Sequence, residues 1–298
     1  MPDIVEIAAL LGAGLAGGLL AGLLGIGGGV VYVFVLTLFL EPQIADDTQL
    51  VRFVLANSLL ATFFAGLSST LRYASKGDFN WQLILATALP GAMAALLVAW
   101  LLVAFDWYRQ STYSTFIILM LAYMAFRMLY LRPRAQKKEM AHEDEARASE
   151  QTKDGQSRPM PTQKNRKPEW WWYPVSGLTA GVVSSLSGFG GGVVIVPMLS
   201  EAAGLPIRKA SSISLGVIPV FALSLSIFFA FTRHAVAVEG HYALGFILPK
   251  YVLPMVLGVW IGAGQGVNMA HRIPERLLTV LFGMLLLTVA LRMAWSLF

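Results

Sequence analysis

Long apolar runs separated by short polar segments dominate the chain. Most of these runs have the roughly 20 apolar residues that a helix needs to cross the ~30 Å hydrocarbon core of a bilayer. The pattern therefore predicts an all-α integral membrane protein. The longer runs are Ile4–Leu24, Leu50–Tyr73, Trp81–Phe105, Thr112–Leu131, Trp171–Leu186, Ala210–Phe231, Tyr242–Val267 and Leu277–Phe298.

Two further runs, Val30–Leu40 and Val193–Ala203, are too short to cross a bilayer. A helix rises 1.5 Å per residue, so each would be only about 16 Å long. Each follows a cluster of glycines, and irregular backbone at membrane depth is tolerated only where it is buried in protein or lines a cavity. We therefore expect each short run to be half of a broken or re-entrant helix. With these two runs, each half of the chain holds five apolar segments.

Charged residues are few, and many of them are crowded into one segment. They make up 13% of the chain, against roughly 25% in soluble proteins. The segment from Arg132 to Glu169 holds 10 Lys/Arg and 7 Asp/Glu, which is 17 of the 39 charged residues. This composition predicts a disordered linker over 132–169 that joins a first membrane repeat (1–131) to a second (170–298). Because the basic residues bunch between apolar runs, we expect contact with the lipid bilayer and no nucleic-acid partner.

The distribution of lysine and arginine predicts the orientation of the chain. If the linker is cytoplasmic, alternation of the spans places 17 basic residues on the cytoplasmic side and 5 on the other. Cytoplasmic loops carry such an excess, so we expect a cytoplasmic linker and two periplasmic termini. The first run follows Asp3, contains Glu6 and ends without a small-residue cleavage site. It is therefore expected to be a retained helix and not a signal peptide.

An internal repeat is the strongest feature of the sequence. Gly14–Leu36 and Gly177–Leu199 are identical at 12 of 23 positions, at an offset of 163 residues. A weaker echo aligns Ser58-Leu59 with Ser214-Leu215. Since each half holds an odd number of crossings, the halves must be inverted in the membrane. Inverted repeats with interrupted helices are typical of secondary transporters, whose substrate site lies near the midplane where the repeats meet.

The glycine clusters are the candidate substrate site. Glycine lets the backbone turn sharply and approach a ligand closely, and the unpaired N–H groups of the helix that follows suit an anion. Close helix packing is the alternative explanation, and it is the one we favour for Gly14, Gly17, Gly18 and Gly22. The predicted substrate-binding residues are Gly27, Gly28, Gly29, Gly190, Gly191 and Gly192, with nearby polar side chains at Asn57, Ser58, Ser187, Ser214 and Gln265.

The chain lacks the residues that several other functions need. It has no cysteine, its four histidines lie in or beside loops, and no Asp or Glu falls in the middle of a run. We therefore predict no catalytic residue, no metal site and no cofactor, and we expect a transporter in place of an enzyme. The glycine clusters are also followed by no Gly-Lys-Ser/Thr sequence, so they are not a nucleotide-binding loop.

The paired segments GLLGIGGGVVYVFVL and SSLSGFGGGVVIVPML, each followed by a Ser-Leu segment, resemble the sulfite exporter TauE/SafE family. The resemblance covers both halves and implies a carrier in the bacterial inner membrane that exports sulfite or an organosulfonate such as sulfoacetate. Where that family often has a Thr-Ser pair, this chain has Asn57-Ser58 and Ile213-Ser214. An importer of a sulfur oxyanion remains an alternative, as do an intramembrane enzyme and a scaffold subunit. A monomer and a homodimer are both compatible with the sequence.

Overall fold

The computed structural model describes residues 4–74, 80–105, 107–126, 169–205, 207–232, 242–269, 284 and 287–292. Regular structure in these ranges is helical, which confirms the all-α prediction. The helices are α1 (Ile4–Leu24), α2 (Gly29–Leu40), α3 (Asp47–Ala74), α4 (Trp81–Ala104), α5 (Gln110–Phe126), α6 (Trp172–Ser187), α7 (Gly192–Pro197), α8 (Ile207–Phe231) and α9 (Pro249–Met269). A π-helical turn, Met198–Ala202, continues α7, and residues 287–292 are also helical. The predicted linker, except Glu169, and the four histidines lie outside the described residues.

Five of these helices are long and apolar enough to cross a membrane: α1, α3, α4, α8 from Lys209 onward, and α9. The two shorter apolar helices of at least ten residues in the described part of the chain are α2 and α5. The chain is thus a multi-pass membrane protein. The predicted helix breaks are present, because α1 and α6 end just before the glycine clusters and α2 and α7 begin within them.

The prediction of one continuous helix over Tyr242–Val267 is wrong at its start. Residues 242–248 are apolar but not helical, and α9 begins only at Pro249. A proline is favoured in the first turn of a helix because it has no N–H to leave unpaired there. Before it, Leu244 and Ile247 pair their backbones across a tight turn in which Gly245 has a φ of 55°.

The chain divides into two compact units, Met1–Tyr113 with Pro168–Arg272, and Ser114–Lys167 with Ile273–Phe298. The first unit contains α1–α4 and α6–α9, so helices from both predicted repeats share it. Three helix pairs, each joining one repeat to the other, build this unit: α1 with α9, α4 with α6, and α3 with α8.

The α1–α9 pair is held together by small residues. A Cβ built on Gly18 would lie 2.7 Å from Val259 O, and one built on Gly22 would lie 2.5 Å from Ala263 O. Because the contacting residue numbers rise together, the two helices are parallel. Backbones this close are typical of membrane helix interfaces rich in small residues, and they confirm the packing interpretation for these glycines.

The α4–α6 pair repeats this arrangement with the roles of the two repeats exchanged. A Cβ on Gly177 would overlap Thr87 O, and the Ser185 hydroxyl donates to Ala95 O at 2.6 Å. These helices are also parallel. Gly177 corresponds to Gly14 of α1 at the repeat offset of 163, and a Cβ on Gly14 would likewise overlap a backbone oxygen of its partner helix.

The α3–α8 pair joins the two repeats at the centre of the unit. Gly66 lies against Pro219, whose Cδ is 3.0 Å from a Cβ built on that glycine, while the Thr70 hydroxyl donates to Leu215 O at 2.7 Å. Proline lacks the N–H that would pair with the carbonyl four residues earlier, and Thr70 supplies a donor to that carbonyl. The two helices run antiparallel, which is the relation that inverted repeats require of corresponding helices.

Candidate functional site

The two glycine clusters form loops of the same backbone geometry. Glycine loop 1 (Gly25–Gly28) joins α1 to α2, and glycine loop 2 (Gly188–Gly191) joins α6 to α7. Three glycines in each loop have left-handed backbone angles that other residues adopt only at a cost. Their φ values are 72°, 95° and 66° at Gly25, Gly27 and Gly28, and 76°, 79° and 77° at Gly188, Gly190 and Gly191.

The two loops lie directly against each other. A Cβ built on Gly29 would lie 2.6 Å from Phe189 Cα, and one built on Gly192 would lie 3.0 Å from Ile26 O. Within each repeat, a Cβ on Gly28 would overlap the Gly17 carbonyl, and one on Gly191 would lie 3.0 Å from Ala180 O. Protein atoms therefore occupy the positions that side chains would need, and the glycines permit a loop–loop contact in this conformation.

Two of the predicted site residues exchange hydrogen bonds between the repeats. The Ser58 hydroxyl, on α3, faces Gly188 O at 3.3 Å and Leu55 O at 3.0 Å. The Ser214 hydroxyl, on α8, donates to Gly25 O at 3.0 Å. Both serines are fully buried. Each repeat thus places its Ser-Leu serine on the first glycine of the other repeat's loop, so the structure brings these serines and both loops together.

Asn57 has a different environment from its neighbour Ser58. Its amide donates to Phe53 O at 2.6 Å and to Phe246 O at 3.0 Å, and its Oδ1 accepts from the Leu248 N–H at 2.7 Å. A primary amide has two hydrogens to donate, so both are used within the protein. Asn57 therefore holds the 242–248 segment in front of α9.

The other two predicted polar residues do not offer a donor to the loop–loop contact. The Ser187 hydroxyl donates to Val183 O at 2.7 Å and accepts from the Phe189 N–H at 3.2 Å, which fixes glycine loop 2. Gln265 is exposed on α9, whereas the residues of both glycine loops are buried.

Two hydroxyls beside glycine loop 1 were not predicted from the sequence. Tyr32 on α2 and Thr62 on α3 are fully buried, and neither hydroxyl has a hydrogen-bond partner in the described part of the chain. Helical spacing is the signal that could have found them, since Tyr32 follows Gly28 by four residues and Thr62 follows Ser58 by four. Each therefore lies one turn from a residue that the motif had already singled out.

Backbone amides supply the positive potential at the loops. The first N–H groups of a helix have no intrahelical partner, and the helix dipole places partial positive charge there. At the start of α2 the Val31 N–H bonds Gly28 O at 3.1 Å, and no acceptor among the described residues is recorded for the N–H groups of Gly29 and Val30. Such groups can bind an anion without a charged side chain.

The arginines of α3 lie at its two ends, away from its middle. Arg52 is buried and donates to Leu102 O at 2.7 Å, where its cation complements the negative end of the α4 dipole. Arg72 is exposed, and its guanidinium faces Gly264 O at 3.4 Å. Outside the spans, burial raises the pKa of Tyr108 well above its ordinary value, and its hydroxyl donates to Leu186 O at 2.9 Å. These groups serve as contacts between helices.

Comparison with known proteins identifies one family and several membrane transporters as relatives. The model of the family described as "Sulfite exporter TauE/SafE" matches residues 10–293. A probable membrane transporter protein of Methanocaldococcus jannaschii is 24% identical over 272 residues, covering 90% of this chain and 88% of the relative. One of Haemophilus influenzae is 27% identical over 285 residues, covering 94% and 95%, and one of Bacillus subtilis is 21% identical over 292 residues, covering 95% of each. No solved structure matches the chain significantly.

Proposed function

The chain belongs to the TauE/SafE family of membrane transporters, and from that premise we propose that it exports a small sulfur-containing anion across the bacterial inner membrane. The substrate class is sulfite or an organosulfonate such as sulfoacetate. The observation that carries the proposal is the meeting of two glycine loops, one from each repeat, at a buried point that is rich in backbone donors.

An anion suits this point for electrostatic reasons. The N–H groups at the start of α2 carry partial positive charge in a buried, low-dielectric environment, where electrostatic interactions are stronger than in water. Neutral donors hold an anion less tightly than an arginine would, and a carrier must also release its substrate. The sulfonate and sulfite groups present several oxygen acceptors, which several N–H and hydroxyl donors can share.

Movement of the loops relative to each other is the step that transport requires. In the described conformation the loops touch and Ser58 and Ser214 bond across them. A substrate can enter only when this contact opens, so we assign the described conformation to an occluded state. The tightly packed pairs α1–α9 and α4–α6 are suited to move as rigid bodies about the α3–α8 pair, because their backbones are in direct contact.

Export can be driven by the membrane potential. An anion that leaves a negative-inside cell gains about 2.3 kcal/mol per charge for each 100 mV. The described carboxylates of the first repeat, Glu6, Glu41, Asp46 and Asp47, lie at the start of α1, after α2 or at the start of α3. A carboxylate proton relay through the middle of a span would need residues at other positions. We propose that the membrane potential alone is sufficient to drive export.

Reconstitution into liposomes tests the proposed function. Vesicles loaded with sulfite or sulfoacetate should lose the anion faster with the protein than without it, and an inside-negative potential should accelerate the loss. Chloride and phosphate, loaded at the same ionic strength, are the matched controls. Equal rates for all four anions, or no protein-dependent efflux, would contradict the proposal.

The orientation of the chain has its own test. The proposal places the 132–169 linker in the cytoplasm and both termini in the periplasm. Because the chain has no native cysteine, Ser157→Cys should be protected from an impermeant thiol reagent in intact cells, while Pro42→Cys should be labelled. The opposite labelling pattern would reverse the orientation.

A further inference from the structure

Two unpaired hydroxyls lie beside the loop–loop contact. Tyr32 Oη and Thr62 Oγ1 belong to fully buried side chains and have no hydrogen-bond partner among the described residues. A buried hydroxyl without a partner is unfavourable, and phenylalanine or valine would fill nearly the same space without it. An unpaired buried donor beside the candidate site is therefore a candidate contact for a ligand that binds in another state.

Both side chains touch glycine loop 1. Tyr32 Oη lies 3.0 Å from a Cβ built on Gly28 and 2.9 Å from one built on Gly17. The Thr62 methyl lies 3.4 Å from a Cβ built on Gly27, and its hydroxyl is on the same carbon as that methyl. The same methyl lies 2.5 Å from a Cβ built on Gly190, so Thr62 also touches glycine loop 2. Tyr32 thus lies against glycine loop 1, near the start of α2, and Thr62 lies between the two loops.

The second repeat has no equivalent pair. At the offsets that align the repeats, Tyr32 corresponds to Ile195 and Thr62 to Ile218. Ile218 also occupies the corresponding place in space, since it touches the same two glycines as Thr62: its Cδ1 lies 3.3 Å from a Cβ built on Gly27, and its Cγ2 lies 3.2 Å from one built on Gly190. The surroundings of the loop–loop contact are therefore chemically asymmetric although the backbone of the two loops is alike.

We propose that the Tyr32 and Thr62 hydroxyls donate hydrogen bonds to the oxygens of the transported anion, at glycine loop 1. This inference rests on the proposed function and deepens it. Two hydroxyls on different helices, together with the α2 N–H groups, select an anion with several oxygens on one centre, such as sulfite or a sulfonate, over a halide. Ile218, which touches both loops, contributes shape and no donor.

Direct binding to the purified full-length protein tests the inference. The probes are sodium sulfite and sulfoacetate, with sodium chloride at equal ionic strength as the reference, measured by calorimetry in detergent. A hydrogen bond to a charged group is worth about 1.5–3 kcal/mol. At about 1.4 kcal/mol per tenfold change, Tyr32→Phe and Thr62→Val should each weaken sulfite binding by roughly 10- to 150-fold.

Two further variants separate a ligand contact from a structural effect. Thr62→Ser keeps the hydroxyl and should retain most of the affinity. Ser69→Ala removes another buried, unpartnered hydroxyl from the same helix, two turns away, and should leave the affinity unchanged. Because Tyr32→Phe and Thr62→Val remove an unpaired donor, their melting temperatures without ligand should equal or exceed that of the parent protein.

The outcomes distinguish this inference from the function on which it rests. If the parent protein binds neither sulfite nor sulfoacetate, the proposed substrate class is wrong and the inference falls with it. If the parent binds and both hydroxyl variants keep its affinity, the function stands and these hydroxyls are not ligands. An equal loss in Ser69→Ala would also overturn the inference, since the effect would not be local to the loop.

Discussion

Alanine substitution at four glycines separates the costs that a Cβ brings to this fold. Two of the positions have open space around the Cβ position, and two are in the glycine loops. Only Gly12 lacks a positive φ. The two positions with open space are Gly12 in α1 and Gly204, which has a φ of 70°. In the loops, Gly191 has a φ of 77° and its built Cβ lies 3.0 Å from Ala180 O. Gly28 has a φ of 66°, and its built Cβ would overlap Gly17 O.

The expected changes in unfolding free energy follow from these surroundings. Gly12→Ala should stabilise by about 0.5–1 kcal/mol, because alanine favours a helix over glycine. Gly204→Ala should destabilise by about 1–2 kcal/mol, which is the cost of a left-handed residue with a Cβ. Gly191→Ala should carry the same left-handed cost and a further destabilisation of about 1–3 kcal/mol from overpacking. Gly28→Ala should be the most destabilising, because its Cβ would overlap backbone atoms and not the end of a flexible side chain.

The assay is denaturant unfolding of the purified variants in one detergent, with sulfite binding measured on the same samples. The predicted order of stability is Gly12→Ala, parent, Gly204→Ala, Gly191→Ala and Gly28→Ala. A Gly28→Ala protein as stable as Gly204→Ala would refute the tight contact between α1 and glycine loop 1. A Gly28→Ala protein that unfolds like the parent but no longer binds sulfite would show that this glycine makes room for the ligand.

Two further substitutions test contacts that tie the helices together. Asn57→Ala leaves two buried backbone groups unpaired, at about 1–3 kcal/mol each, so the free energy of unfolding should fall by about 2–6 kcal/mol. The control Asn268→Ala, at an exposed position, should keep the parent value. If Asn57→Ala loses sulfite affinity at unchanged stability, Asn57 is a substrate contact. Thr70→Val should lower the free energy of unfolding by about 1–3 kcal/mol in the parent protein. The loss should be smaller in a Pro219→Ala background, because the restored N–H at position 219 can bond the same carbonyl, Leu215 O. Equal losses in the two backgrounds of this double-mutant cycle would refute the link.

The helices were predictable from the sequence because apolar length is the main signal in a membrane protein. Nine of the ten apolar runs correspond to α1–α9, and the tenth, Leu277–Phe298, contains the helical residues 287–292. The start of α9 was missed because 242–248 is as apolar as a helix. Its backbone is satisfied by a tight turn and by Asn57, which is distant in sequence.

The candidate site was predictable only in part. The glycine motif shows where the backbone turns, since positive φ angles require glycine at these positions. It does not show that the two loops contact each other, or that Ser58 and Ser214 bond the opposite repeat, because those contacts arise from packing between distant helices. A polar residue in a span is also ambiguous on its own: Asn57 is satisfied by backbone groups, whereas the Thr62 hydroxyl, five residues later, has no partner among the described residues.

Locating a bound anion tests the central claim most directly. Selenite resembles sulfite, and its selenium gives a strong anomalous X-ray signal. In a crystal of protein with ordinary methionine, that signal identifies the anion, because sulfur and oxygen scatter anomalously much more weakly. The account predicts one strong anomalous peak between the glycine loops, within hydrogen-bond distance of the α2 N–H groups and beside Thr62. A peak at the exposed Arg72 or at Lys250, with none at the loops, would contradict it.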